Sequence, residues 1–199
     1  MLTPSNYSAV IIKPDAHRDV LVEMIIQDME NGGLVTIFRK DEVLSRKEAE
    51  RIYAEHRGTP HYETSIRSVE GDKENRSVTF LILKSEVGDA LKHTNQIKGR
   101  SDIGGVRFKY RRFSRKEMED MGYSGENLML ELAKNRLHVP DSDYRSLGLI
   151  NMMLSDSERE NIRLREPELY KELEIWRNEN REIKLLPENK ELRKEMKIR

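Results

Sequence analysis

The sequence predicts a mixed α/β (α+β) fold, a small sheet packed against helices, on three observations. Short β-rich runs alternate with segments of helical period, glycine and proline mark the joins, and no internal repeat or low-complexity stretch interrupts the pattern. The first run, Tyr7-Ser8-Ala9-Val10-Ile11-Ile12, is a strand that ends at Lys13-Pro14-Asp15, because proline has no N–H to give a central ladder. Val20, Leu21, Met24, Ile25 and Met29 then recur with helical spacing until Gly32-Gly33 stops the helix. Leu34 to Val43 reads as a second strand. A helix follows Ser45 with Arg46 to Glu55 as its body, and a looser stretch runs through Pro60. Ser77 to Leu83 is a third, buried strand, succeeded by a helix over about 85–94 and a loop through Gly104-Gly105. Helices over about 125–135 and 142–154 flank the apolar step Leu137-His138-Val139. The sheet is expected to be covered on one face.

The chain has 199 residues, enough for one sizeable core or one domain with an appendage. Charge density rises sharply at Ser155: residues 155–199 carry 24 charged side chains among 45, which sets the expected division into a domain 1–154 and a charged helical extension 155–199. In the extension, Leu169, Leu173, Trp176 and Ile183 keep helical spacing behind Pro167, so 167–183 is read as a helix with a narrow apolar stripe. That stripe needs a surface, either its own domain or a neighbouring subunit. Pro187 is expected to separate it from a last short helix over 188–198.

Basic and acidic residues balance at 36 each, which removes the bulk electrostatic case for a nucleic-acid or anionic-membrane partner. The cluster Tyr110-Arg111-Arg112-Phe113 has the basic-aromatic look of a nucleic-acid contact, but zero net charge weighs against it. Absence of cysteine excludes disulfides, thiolate metal sites and Cys nucleophiles, and fits a reducing, cytoplasmic compartment. No run approaches the ~18 apolar residues of a membrane span, and Met1 to Asn6 lacks a signal peptide's regions. A soluble, unprocessed chain is the expectation.

Walker, dinucleotide-binding, HExxH and EF-hand patterns are all absent. What remains is dispersed: Lys13 after the first strand, Tyr53 on a helix, His61 in a loop, Thr94-Asn95, Arg107 beyond the glycine loop, and Asn135-Arg136-Leu137-His138. Lys and Arg suit phosphate oxygens, as a point charge and as a bidentate fork. Five histidines compete for a catalytic role, and His138 stands out because Leu137 and Val139 set it in an apolar run, where neutral imidazole is favoured and is a competent nucleophile.

In order along the chain, Ile11-Ile12-Lys13-Pro14-Asp15, Tyr53 seven residues before Pro60, Thr94-Asn95, Gly105-Val106-Arg107 and Asn135-Arg136-Leu137-His138-Val139-Pro140-Asp141-Ser142 resemble nucleoside diphosphate kinase. The family patterns are KPD, Tyr-x6-Pro-aromatic, TNP, PGTIRG and NxxHxSDS, and the likeness spans about residues 6–154. It implies a ferredoxin-like four-stranded antiparallel sheet and a homo-oligomer, a hexamer or tetramer built from dimers. It also implies ping-pong transfer of the γ-phosphate of a nucleoside triphosphate to a nucleoside diphosphate through phosphohistidine, with Mg2+ carried on the nucleotide phosphates. By motif, His138 is the nucleophile, Lys13, Tyr53 and Arg107 surround the transferred phosphate, Asn135 contacts the ribose, Thr94 a phosphate, and His61 stands where an aromatic ring stacks on the base. Three positions depart from the pattern. Gly88 replaces a phosphate-binding Arg, for which Lys92, Lys98, Arg100, Arg111, Arg112 or Arg115 are candidate substitutes. Pro140 and Leu149 replace a Ser and a Glu that hold the catalytic ring, leaving Asp141 as a candidate orienter. The 27 residues between Arg107 and Asn135 exceed the compact members' spacing and read as a helical excursion near the mouth of the site. The alternative reading is a catalytically degenerate nucleotide-binding or scaffolding module of the same fold.

Overall fold

The computed structural model describes residues 4–185. Pro187 and the expected helix 188–198 lie outside the described residues. In chain order the elements are β1 (Tyr7–Ile12), α1 (Pro14–Arg18), α2 (Val22–Asn31), β2 (Leu34–Val43), α3 (Arg46–Ile52), a 3-10 turn (Ala54–His56), α4 (Tyr62–Glu70), β3 (Ser77–Ser85) and α5 (Ala90–Lys98). Then come α6 (Val106–Lys109), α7 (Arg115–Asp120), α8 (Gly125–Ala133), β4 (Leu137–His138), α9 (Asp143–Met153), α10 (Asp156–Arg165) and α11 (Pro167–Leu185).

The four strands form one antiparallel sheet in the order β2-β3-β1-β4, the ferredoxin-like arrangement. β1 lies inside the sheet and is buried along its whole length. Its alternate side chains serve two cores, which corrects the expectation of a sheet covered on one face. Val10 and Ile12 join Ile25, Met29, Leu81, Leu83 and Leu137 beneath α2, α5 and α6. Tyr7, Ala9 and Ile11 join Phe80, Ile66, Leu147 and Ile150 beneath α3, α4 and α9.

The C-terminal helices complete the second core: Ile162, Leu169 and Leu173 are buried in it, so the apolar stripe finds its surface on the same chain. Polar contacts fasten the junction, with Tyr7 Oη (3.0 Å) and Lys84 Nζ (2.9 Å) both donating to Glu166 and Ser5 Oγ donating to Glu172 at 2.5 Å.

Several helices differ from the expectation: α3 stops at Ile52 and gives way to the 3-10 turn, and α4 follows the loose stretch as a helix the sequence reading did not place. The segment from Val20 to Met29 is not one helix, because Val20 takes a left-handed φ of +57° and α2 starts at Val22. α5 begins at Ala90 instead of 85, after Asp89 turns left-handed and accepts the Lys92 N–H at 3.0 Å as an N-cap. α10 is a helix of its own, opened by the Ser155–Glu158 capping box and separated from α11 at Glu166-Pro167. The excursion after Arg107 folds into α7 and α8, and Arg67 ties α4 to α8 through Glu126 at 2.7 Å.

Candidate active site

β4 has only two residues, but its pairing sets the site. His138 lies opposite Ile11 and Leu137 opposite Ile12, so the imidazole emerges beside the end of β1, where Lys13 follows. The Lys13 N–H donates to the Arg136 carbonyl at 2.7 Å and extends the contact one residue beyond the ladder. Arg136 is buried with φ +73°, and its guanidinium donates to the Tyr110 carbonyl (2.6 Å) and the Asp15 carbonyl (2.8 Å) while pairing with Asp19 at 2.7 Å. Its backbone N–H donates to Asp15 Oδ2 at 3.1 Å. A buried clasp thus fixes the entry into β4.

Lys13 is buried, and its ammonium donates to Ser68 Oγ (3.1 Å), the Ala133 carbonyl (2.8 Å) and Asn135 Oδ1 (3.1 Å). Tyr53, at the end of α3, sets its ring edge-on to the His138 ring with centroids 4.8 Å apart. Arg107, in the first turn of α6, donates from Nη2 to the Leu137 carbonyl at 2.8 Å. The turn that delivers Arg107 needs glycine: Gly105 has φ +81°, and a Cβ there would lie 2.6 Å from the Ile97 carbonyl oxygen. Lys98, the last residue of α5, donates to Asn95 Oδ1.

These groups form a cationic cluster. Burial, with Arg107 nearby, brings the Lys13 ammonium down to about 7, and the same two causes bring Lys98 down to about 8. Burial also lowers Arg107, against the opposing pull of Tyr53 and Asp141. His138 is held well below the ordinary histidine value by burial and by the charges of Lys13, Arg107 and Lys98, so its ring is neutral at neutral pH. Thr94 Oγ1 and Arg107 Nε are buried without a hydrogen-bond partner among the described residues. Such orphaned polar groups, beside these cations, fit an anionic ligand.

Of the sequence-predicted residues, Lys13, Tyr53, Arg107, Asn135 and His138 come together. Thr94 is fully buried on α5, the helix that also carries Lys98. His61 is exposed as the residue that precedes the first turn of α4, and Asn135 receives the Lys13 ammonium. Gly88 lies in the turn before α5. Among the candidate replacement cations, Lys98 is the one whose charge acts on His138. Arg100 pairs with Asp102 at 3.0 Å, Arg111 donates to the Ser101 carbonyl, Arg112 lies over Phe113, and Arg115 pairs with Glu119. Asp141 is exposed, 3.6 Å from Arg145, and its field reaches Lys98 and Arg107. The sequence names Arg136 within the run that ends at His138 but gives it no role, because its left-handed backbone and buried clasp leave no sequence signal.

A neutral imidazole among cations at the edge of a ferredoxin-like sheet defines a candidate phosphoryl-transfer site. The family model for nucleoside diphosphate kinase matches residues 6–158, and the chain belongs to that family of phosphotransferases. The nucleoside diphosphate kinase of Hydrogenovibrio crunogenus is 31% identical over 148 residues, covering 74% of this chain and 92% of the relative. That of Thermomicrobium roseum is 26% identical over 149 residues, covering 75% and 87%. Among solved structures, the Borrelia burgdorferi enzyme with bound vanadate and ADP superposes with a TM-score of 0.60 at 17% identity, covering 76% of this chain and 88% of that one. The Aquifex aeolicus enzyme gives 0.57 at 20% identity, covering 77% and 97%. At those identities the structures speak for the fold.

Proposed function

We propose that this chain transfers the γ-phosphate of a nucleoside triphosphate to a nucleoside diphosphate by a ping-pong mechanism through phosphohistidine at His138. The imidazole nitrogen attacks the γ-phosphorus as the bond to the β-phosphate oxygen breaks, and the diphosphate leaves. A second diphosphate then attacks the phosphorus, the P–N bond breaks, and its electron pair returns to the ring. Lys13, Arg107 and Lys98 stabilise charge on the transferred oxygens, which is most of what in-line phosphoryl transfer asks of a protein. Tyr53 packs the ring edge-on, Thr94 and Asn135 serve the phosphate and ribose, and His61 is the stacking platform for the base. One observation supports this reading: His138 stands on β4 at the end of β1, beside Lys13 and next to the Leu137 carbonyl that holds Arg107, so the cations that a terminal phosphate would bridge gather around its ring.

Among the described residues no group of three or more His, Asp or Glu side chains could hold a metal. A cationic cluster does not suit a resident cation either, so the divalent metal, Mg2+ in this proposal, belongs to the incoming nucleotide. The same reading makes the protein a cytoplasmic homo-oligomer, a hexamer or tetramer built from dimers, and Val35 and Val43, exposed on the edge strand β2, support the association; among the described residues no helix is long and apolar enough to cross a membrane.

Incubation with γ-labelled ATP tests the reaction. Acid-labile, base-stable label on the parent, absent from His138→Gln, is the expected result, and an unlabelled parent refutes it. The second reading, a degenerate nucleotide-binding module, is favoured by Pro140 and Leu149 and predicts nucleotide binding without label.

A further inference from the structure

A cavity of about 390 Å3, open to solvent on one side, lies beside His138 between the end of α3 and the helices α9 and α11. That volume falls in the range of small-molecule sites, roughly 300–1,000 Å3, which are mostly apolar and carry a few polar groups that fix orientation. The walls follow that division. Ile52, Pro140, Leu149 and Met152 are apolar, Tyr144 and Trp176 add two rings, and Arg51 and Arg145 bring positive charge. Among the described lining residues there is no carboxylate. Asp141, outside the wall, faces Arg145 at 3.6 Å and offsets part of its charge, while Arg51 stands exposed in the last turn of α3.

The aromatic part of the wall is fixed in advance. The Trp176 indole N–H donates to the Tyr144 carbonyl at 2.8 Å, and the two rings lie 5.6 Å apart. Tyr144 Oη donates to Asn180 Oδ1 at 2.5 Å, and the Asn180 amide donates to the Trp176 carbonyl at 2.7 Å, which closes a loop of contacts between α9 and α11. Gly148 seats the indole against α9, since a Cβ there would lie 3.0 Å from Trp176 Cζ2. With the indole N–H engaged by Tyr144 and the Tyr144 hydroxyl by Asn180, the rings offer flat apolar surface rather than unused donors. A surface ordered before a ligand arrives loses little freedom on binding it.

We propose that this cavity binds a small planar aromatic anion, its body packed against Tyr144, Trp176 and Met152 and its charge met by Arg51 and Arg145. Guanidinium forks suit the oxygens of a carboxylate or sulfonate, and the walls supply the area that an aromatic body buries. The site is separate from the cations assigned to the transferred phosphate: Lys13, Lys98 and Arg107 line none of it. Trp176 also lies beyond residues 6–158, so α11 contributes a wall that the matched family region does not contain. His138 is itself a lining residue, so an occupant shares a wall with the proposed nucleophile, and the binding stands whether or not that ring is phosphorylated.

The probes are anilinonaphthalene sulfonate and phenylnaphthylamine, one aromatic body with and without its negative charge. Each is titrated into the full-length parent, Arg51→Gln, Arg51→Gln/Arg145→Gln and Ala54→Phe and followed by its own emission, with circular dichroism to check folding. Arg51→Gln should weaken the sulfonate about threefold and the double variant about tenfold, the size of one and two exposed ion pairs, while the uncharged probe binds as it does to the parent. Ala54 lines the cavity, so Ala54→Phe puts a ring into it and should abolish saturable binding of both probes. Trp176 is the chain's one tryptophan and gives a single indole N–H resonance, which should shift over the concentrations at which the sulfonate saturates. Sulfonate affinity unchanged in both arginine variants, parental binding by folded Ala54→Phe, or an indole resonance that does not move overturns the site. Labelling of His138 by γ-labelled ATP is read separately, so either proposal can fail alone.

Discussion

Arg136→Ala should be the costliest single change near the site that touches no proposed substrate contact. The guanidinium is 3% exposed and serves two carbonyls and two carboxylates, Asp15 and Asp19, at 2.6–3.3 Å. Truncation leaves Asp15 buried beside orphaned carbonyls, and removing one partner of such a pair costs about 3–5 kcal/mol. For a chain of this size that lowers Tm by roughly 6–20 °C, at about 2–4 °C per kcal/mol. Backbone geometry adds a second handle, because φ is +73°. Glycine adopts that conformation without strain, so Arg136→Gly should be more stable than Arg136→Ala by roughly 1 kcal/mol although both lack the side chain. The pH response has a fixed sign. Burial already pushes the Asp15 carboxyl up, with Lys13 and Arg136 opposing. Without Arg136 it rises further, so the variant's deficit is fully present at neutral pH and shrinks as falling pH protonates the folded carboxyl. Urea denaturation followed by circular dichroism between pH 5 and pH 8 measures all three effects. An Arg136→Ala chain within about 1 kcal/mol of the parent, or a glycine variant no better than the alanine one, would refute the clasp.

Lys98→Met should weaken nucleoside triphosphate binding by about tenfold, roughly 1.4 kcal/mol, while leaving nucleoside binding nearly unchanged; equilibrium dialysis with both ligands decides this. Near pH 8, ADP binding should take up protons, because Lys13 and Lys98 lie at about 7 and about 8 and an anion draws both upward; calorimetry in buffers of different ionisation enthalpy reads the uptake, and zero uptake removes them from the site. His138 imposes an acid-side penalty. Its folded value lies below the unfolded one near 6.5, so the unfolded chain binds the proton first and stability falls with pH below about 6.5, by at most ~1.4 kcal/mol per unit. His138→Gln should flatten that slope, and an unchanged slope would mean the ring protonates freely in the folded chain.

Much of this architecture was legible because local signals agreed with tertiary demands. β1 and β2 begin and end where the apolar run and the Gly32-Gly33 stop place them. The Ser155-x-x-Glu158 capping box was there to be read, yet the density of charge around it hid α10 inside an undivided extension. Other features carry no such signal. Val20, Asp89 and Arg136 adopt left-handed backbone without being glycine, and only surrounding contacts select that conformation. Ordered motifs named His138, Lys13 and Arg107, and the fold brings these three together at the end of β1. The clasp of Arg136 on Asp15 and Asp19 joins residues more than a hundred positions apart, and no sequence period reports a contact of that range.

Because both faces of β1 are apolar, side-chain pattern alone does little to choose between neighbouring alignments of that strand; a slip by one position would exchange one greasy face for another. What distinguishes the native alignment is its far end, where the Lys13 amide donates to the Arg136 carbonyl and Asp15 Oδ2 accepts from the Arg136 backbone N–H. The lysine that would grip substrate therefore doubles as the stop that sets strand alignment. A chain misaligned there would carry Lys13 away from the β4 pairing that holds His138, so strand alignment and reactivity stand or fall together.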